Sequence, residues 1–191
     1  MARIGFVVEG KTLETLLRYS LCPWLQRKGV TATIIDAGGH SRLIKEASQH
    51  LRGLRRKRCQ RIFFVLDQEK DPCPPATAKR LESVRGEPDA VVCVVAPMLE
   101  AWLLADSEAV QKATGQSFGD PTDSLPNPVD TLKTLFSKKY RQSFSKMEMA
   151  KIISRYFSLE RAARNNHSAA RFFRKVNEAV EQILQESGEG G

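Results

Sequence analysis

The run Ile62-Phe63-Phe64-Val65-Leu66 most narrows what this chain can become. It is apolar throughout, with no polar residue at alternate positions. A strand of this kind has to be covered on both faces, as strands are in parallel sheets layered between helices. It is far too short for the roughly 20 residues of a membrane-spanning helix, and no other apolar run approaches that length. It ends in an acid, Asp67.

Three further segments read the same way. Arg3 to Val8 is a strand ending at Glu9-Gly10, Thr31 to Ile35 is β-branched and strand-like, and Ala90 to Ala96 is a further buried strand. Between them the period changes. Leu13, Leu16, Leu17, Leu21, Trp24 and Leu25 recur at helical spacing over Thr12 to Leu25. Thr12 is a candidate cap for that helix, and Gly29 follows its end. Ser41 is a candidate cap for a second helix over Arg42 to Leu54, after the turn Asp36-Ala37-Gly38-Gly39-His40. A Pro-rich connection (Pro72, Pro74, Pro75) leads to a helix near Ala76 to Val84, and Pro97 opens another over Met98 to Asp106. Strands alternating with helices predict an α/β fold, a Rossmann-like three-layer arrangement with a four-stranded, mainly parallel sheet and right-handed crossovers.

The pattern then changes. Gly115 to Pro128 is rich in Gly, Pro, Asp and Ser, as loops are. Beyond it only helices are expected: Val129 to Ser137, Lys146 to Phe157, and Ser168 to Glu186. The expected organisation is therefore an α/β domain over 1–112, a linker over 113–128, a helical extension over 129–186 and a disordered tail over 187–191.

Charge divides along the same line. The chain carries +8 overall. Residues 131–176 hold twelve Lys and Arg against Glu148 and Glu160. A basic balance of this kind favours a polyanionic partner, nucleic acid first. Lys138, Lys139, Arg141, Arg155, Arg171 and Arg174 are the candidate contacts. Arg155-Tyr156-Phe157 and Arg171-Phe172-Phe173-Arg174 interleave rings with cations, as stacking platforms do, although Phe172, Val176, Ala179 and Ile183 also share a helical stripe and are core candidates. The run Arg52 to Arg58 precedes the third strand, so it belongs to the sheet edge opposite the acids. Cys22, Cys59, Cys73 and Cys93 have no Cys-x-x-Cys spacing and read as reduced thiols. With no secretion signal, the expectation is a cytoplasmic protein with no membrane partner; a homo-oligomer is left open.

The chemistry is expected at the strand ends. In a doubly wound sheet the first and third strands commonly lie side by side, and ligands bind beyond their C-terminal ends. Glu9 and Asp67 both end such strands, with Glu69 and Asp71 just beyond. Each acid alone also fits as a turn former. Together they predict a site for a hard divalent cation, Mg²⁺ or Mn²⁺, because several carboxylates so close cannot all stay ionised without one. Asp67, Glu69, Glu9, Asp71 and Glu100 are the candidate ligands. Glu9 is also a candidate general acid or base, and Lys11 a candidate for charge stabilisation. Glu100 fits equally as a first-turn acid favouring the helix dipole, and Trp102 as core. His40, His50 and His167 show no ligand spacing to one another and read as bland. Gly38-Gly39-His40-Ser41 reads as a tight turn.

Strand-Glu9-Gly10 followed by strand-Asp67-x-Glu69-x-Asp71 resembles the Toprim fold of primases, topoisomerases and OLD-type nucleases. The segment Pro97-Met98-Leu99-Glu100-Ala101-Trp102 is similar to a bacterial branch of compact Toprim-like proteins near RloB and phage-defence effectors, in which a Glu-x-Trp motif follows the fourth strand. The resemblance implies a Toprim fold and metal-dependent cleavage of RNA or DNA, tRNA included. It gives Glu9 the place of the Toprim glutamate, and Asp67 and Glu69 those of the metal-binding acids. Glu69 departs from the usual Asp and reaches one methylene further. No P-loop occurs, so any ATP chemistry has to come from a separate ATPase partner. The rival expectations are a non-cleaving nucleic-acid-binding or regulatory subunit, and a phosphotransfer enzyme acting on a small substrate.

Overall fold

A computed structural model of the protein describes residues 2–140 and 142–188. Strands β1 (Arg3–Val8), β2 (Thr31–Asp36), β3 (Arg61–Asp67) and β4 (Ala90–Val95) form one sheet in the order β2-β1-β3-β4. Every pairing is parallel. The all-apolar third strand thus lies inside the sheet beside the first, as its composition requires.

Helices cover both faces. Along β1 and β3 the side chains alternate between the two cores, as a period of two dictates. Phe6, Val8, Phe63 and Val65 face α1 (Lys11–Arg27) and the long C-terminal helix α9 (His167–Gly188). Val7, Ile62, Phe64 and Leu66 face Leu43, Ala47, Leu51 and Leu54 of α2 (His40–Arg56), with Leu81 and Val84 beyond α3 (Pro74–Lys79). Gly5 sits where α2 comes closest, since a Cβ there would lie 2.8 Å from Leu54 Cδ1.

The remaining helices are α4 (Leu99–Ala105), α5 (Ser107–Thr114), α6 (Pro128–Tyr140), α7 (Lys146–Ser154) and α8 (Leu159–Ala162). They join the α1–α9 side in one continuous core that runs from Ile4 through Phe136 and Ile153 to Ile183. Trp102 is fully buried, as expected, and its Nε1 donates to Ser168 Oγ at 2.6 Å. Phe172 packs edge-on against Phe6 and Phe63 and at a tilt against Trp102. Phe157 is buried as well. Neither ring is a platform for nucleic-acid bases. Of the aromatics picked for stacking, Tyr156 alone is exposed, and Phe173 packs on Trp24.

Several boundaries differ from the sequence reading. Helix α1 begins at Lys11, not after a Thr12 cap; Gly10 holds the cap position in extended conformation. Helix α2 begins at His40, not after Ser41, because Gly39 takes φ 126°, a conformation open to glycine. Helix α5 was not anticipated, although Asp106 caps it through the Ala109 N–H at 3.2 Å. The expected helix through Phe157 stops at Ser154, and Ser158 caps the separate turn α8. Helix α9 continues through residue 188, and the rest of the expected tail, 189–191, lies outside the described residues. All four cysteines are free. Among the described residues no helix is long and apolar enough to cross a membrane.

Candidate functional site

The C-terminal rim of the sheet opens into a cleft of about 390 Å³ lined by Glu9, Asp67, Glu100 and Lys146, with the first turns of α1 and the Gly38-Gly39 turn at its sides. Parallel strands bring their C-terminal ends to one rim, so acids 58 positions apart in sequence meet there. Glu9 Oε2 accepts the backbone N–H of Asp67 at 2.9 Å, which staples the end of β1 to that of β3. The turn after β2 is held as firmly: Asp36 Oδ1 accepts the Gly38 N–H at 2.9 Å, and the Gly39 N–H donates to the Glu9 carbonyl at 2.7 Å.

That turn carries the residue that sequence reasoning missed. His40 Nδ1 lies 3.1 Å from Glu9 Oε2 and 3.8 Å from Glu69 Oε2. The three donor atoms of Glu9, His40 and Glu69 all fall within 4.8 Å of one another. Two donors each about 2.1 Å from one ion are at most about 4.2 Å apart, so this set closes on a small divalent cation with a shift of about half an ångström. Its imidazole suits Mn²⁺ and later transition metals better than Mg²⁺. Glu69 is half exposed and sits at φ 51°, a left-handed conformation unusual for a residue with a Cβ. Held so, Glu69 reaches the His40 imidazole from the loop beyond β3.

Asp67 lies deeper. Its carboxyl keeps some access to the cleft but is otherwise surrounded by protein, and among the described residues no hydrogen-bond donor reaches it. Burial pushes its pKa well above the usual carboxylate range, the charges of Glu9 and Glu100 push it further, and Lys146 partly opposes them. Glu100, in the first turn of α4, is 6% exposed. Its Oε1 meets Lys146 Nζ at 3.3 Å, so the first residue of α7 carries a cation into the cleft.

The other candidates are placed differently. Asp71 turns away to Arg80, with contacts of 2.8 and 2.5 Å. That guanidinium holds its pKa below the usual range. Lys11 lines the cleft, but its Nζ is 2.7 Å from Glu14 Oε2. The helical cations have different surroundings. Lys138 is exposed on α6, and Lys139 donates to the Ala113 carbonyl and lies over the Tyr140 ring. Arg155 is exposed at the end of α7, Arg174 pairs with Glu178, and Arg171 stands beside β4. Arg141 lies outside the described residues. In the basic run before β3, Arg55 is engaged by Asp89 and Glu87.

Two helix starts frame the cleft without a side-chain cap, those of α1 and α2. Their first-turn N–H groups and positive dipole ends favour an anion there. The site therefore combines acids and an imidazole for a cation with amide donors for an oxyanion.

No curated protein and no solved structure matches this sequence. One family model does, over residues 8–177, a span that includes every residue of the cleft. The chain belongs to the family described as Domain of unknown function (DUF4276).

Proposed function

We propose that this protein is a Toprim-like, divalent-metal-dependent nuclease that cleaves phosphodiester bonds in RNA or DNA. The observation that carries the reading is the meeting of Glu9, His40 and Glu69 above Asp67 and Glu100, between the uncapped starts of α1 and α2. Glu9, His40 and Glu69 are the residues that would hold the ion, with Asp67 and Glu100 beneath them. Once bound, Mg²⁺ or Mn²⁺ supplies a Lewis acid for the phosphoryl oxygens and lowers the pKa of a coordinated water. The first-turn amides of α1 and α2 take a non-bridging phosphate oxygen. Lys146 adds positive charge where negative charge builds on the phosphate. Before an ion enters, His40 Nδ1 lies between Glu9 and Glu69 and keeps the two carboxylates apart at the mouth of the site. The +8 chain draws in a polyanion, and the Toprim resemblance suggests a phage-defence setting, tRNA as one substrate and a separate ATPase as partner.

The test incubates purified protein with mixed RNA and DNA in Mg²⁺, Mn²⁺ or EDTA, beside Glu9→Gln and Asp67→Asn. Cleavage should need the ion and be lost in both variants, while binding persists. Degradation that survives Glu9→Gln would overturn the reading, as would a folded protein that cuts neither polymer with either ion.

One observation favours a second reading, a non-cleaving nucleic-acid-binding subunit. His40 Nδ1 lies 3.1 Å from Glu9 and Lys146 pairs with Glu100, so two of the acids already have side-chain partners without any metal. A binding subunit of this kind would bind with steep salt dependence and be indifferent to Glu9→Gln.

A further inference from the structure

A second concavity, of about 810 Å³, lies along β4 between α3 and the start of α9. Strand β4 is one of the two edges of the sheet, with β2 at the other. In a parallel ladder each residue turns its N–H and C=O to the same side, and successive residues alternate. The Asp89 and Val95 carbonyls accept from Ile62 and Gln68 of the β3 side, so Ala90, Val92, Val94 and Ala96 turn outward. Ala96 is satisfied by Ser168 and Asn166, and the Ala90 N–H by Glu87. Among the described residues the outward N–H and C=O groups of Val92 and Val94 have no partner. Such an edge is a template for another strand.

The surroundings say what that strand carries. Lys79 and Arg85 stand on the α3 side of the groove, Arg171 and Lys175 on the α9 side. Lys79, Arg85 and Arg171 are exposed and have no acidic partner among the described residues, whereas Lys175 is paired with Glu178. Cations thus flank the open edge above and below the plane of the sheet. A second copy of β4 would bring the same cations against themselves. A single-stranded nucleic acid matches the charge but lacks the regular N–H and C=O spacing of a strand that would continue the ladder past Val92 and Val94.

We propose that the β4 edge is a docking groove for an extended acidic peptide segment of a partner protein, added as a fifth parallel or antiparallel strand. The groove starts at Gln68, next to Asp67 of the acid cleft, but the two concavities share no lining residue. The proposal therefore stands apart from the nuclease reading.

The test uses the full chain and a fluorescein-labelled peptide of about eight residues alternating Glu and Val, with a Lys-Val counterpart and an oligothymidylate of similar length as controls. Fluorescence anisotropy should report binding of the Glu-Val peptide that weakens as salt rises, and none of the Lys-Val peptide. The pair Lys79→Glu with Arg171→Glu should weaken binding at least tenfold. Val92→Pro removes an outward N–H at an edge position that tolerates proline, and should abolish binding with the circular dichroism spectrum kept. If Val92→Pro does not fold, the charge-reversal pair decides. The proposal is overturned if the Glu-Val peptide does not bind or ignores the charge reversal. It is overturned equally if oligothymidylate takes the groove irrespective of Val92→Pro, or if the chain instead self-associates through an edge that Val92→Pro blocks.

Discussion

Replacing Asp67 by Asn should make the metal-free protein more stable and reduce what a bound metal adds to that stability. Asp67 is a carboxyl pressed between Glu9 and Glu100 with its pKa driven up, first by burial. A carboxyl whose folded pKa lies above its unfolded value near 3.9 contributes stability that is whole below that value. That contribution is lost as pH rises through the folded pKa. Asp67→Asn removes the group that ionises. The cost of a buried charge without a donor is on the order of 1–3 kcal/mol. For a chain of 191 residues each kcal/mol moves the melting temperature by roughly 2–4 °C, so a gain of roughly 2–12 °C is expected at pH 8 in EDTA. The gain should shrink as pH falls and vanish below about 3, where the wild-type carboxyl is protonated in both states. Saturating Mn²⁺ should narrow the gap. An ion at a hundred times its dissociation constant adds about 2.7 kcal/mol to the wild-type fold, and much less to a variant that has lost an acid. Differential scanning fluorimetry across pH, with and without Mn²⁺, reads both effects. A variant less stable than wild type in EDTA at pH 8, or equally stabilised by Mn²⁺, would refute the electrostatic account of this cleft.

Three other perturbations test separate parts of the structure. His40→Ala should weaken Mn²⁺ binding, measured by calorimetry, at least tenfold, and weaken Mg²⁺ binding less, because imidazole is a better ligand for the transition metal. Equal losses for the two ions would place His40 outside the coordination sphere. Arg161→Ala should lower stability by about 3 kcal/mol in urea unfolding, since it strips Asp106, 0% exposed, of a two-pronged partner at 2.8 and 2.9 Å and leaves it only backbone donors. A loss under about 1 kcal/mol would mean the Ser158 and Ala109 N–H groups suffice alone. Gly5→Ala should cost about 1–3 kcal/mol, because its new methyl meets Leu54 in the middle of a packed layer. Thermal denaturation by circular dichroism checks it, and an unchanged midpoint would show that α2 yields freely.

The sheet was legible because its strands are apolar runs bounded by acids and turns. Glu9 and Asp67 could be paired from sequence because both end strands that parallel pairing sets side by side. Asp71 looked no different from them. What separates it is Arg80, a residue that becomes its partner only once the loop beyond β3 has folded back. His40 failed for the opposite reason. Its distance along the chain from Glu9 and Glu69 carries no periodic signal, and only the placement of β2 against β1 brings it near. A reading that carried every turn of the C-terminal rim into one candidate set would have included it. Lys146 had no local mark at all, since its place comes from how α7 packs on α1. The basic residues were counted correctly as charge but not as surface. Net charge says nothing about which cations are taken by a neighbouring carboxylate or carbonyl, as Arg174 and Lys139 are.

The roof over Phe6 and Phe63 comes from Phe172 and Val176, more than a hundred residues downstream. While the chain is being synthesised, the first three strands therefore leave the ribosome with one side covered only in part, by α1. Until α9 follows, that side is open to chaperones or to a neighbouring nascent chain. The rim that gathers the acids rests on the same strands, so its floor is complete only when this late segment settles.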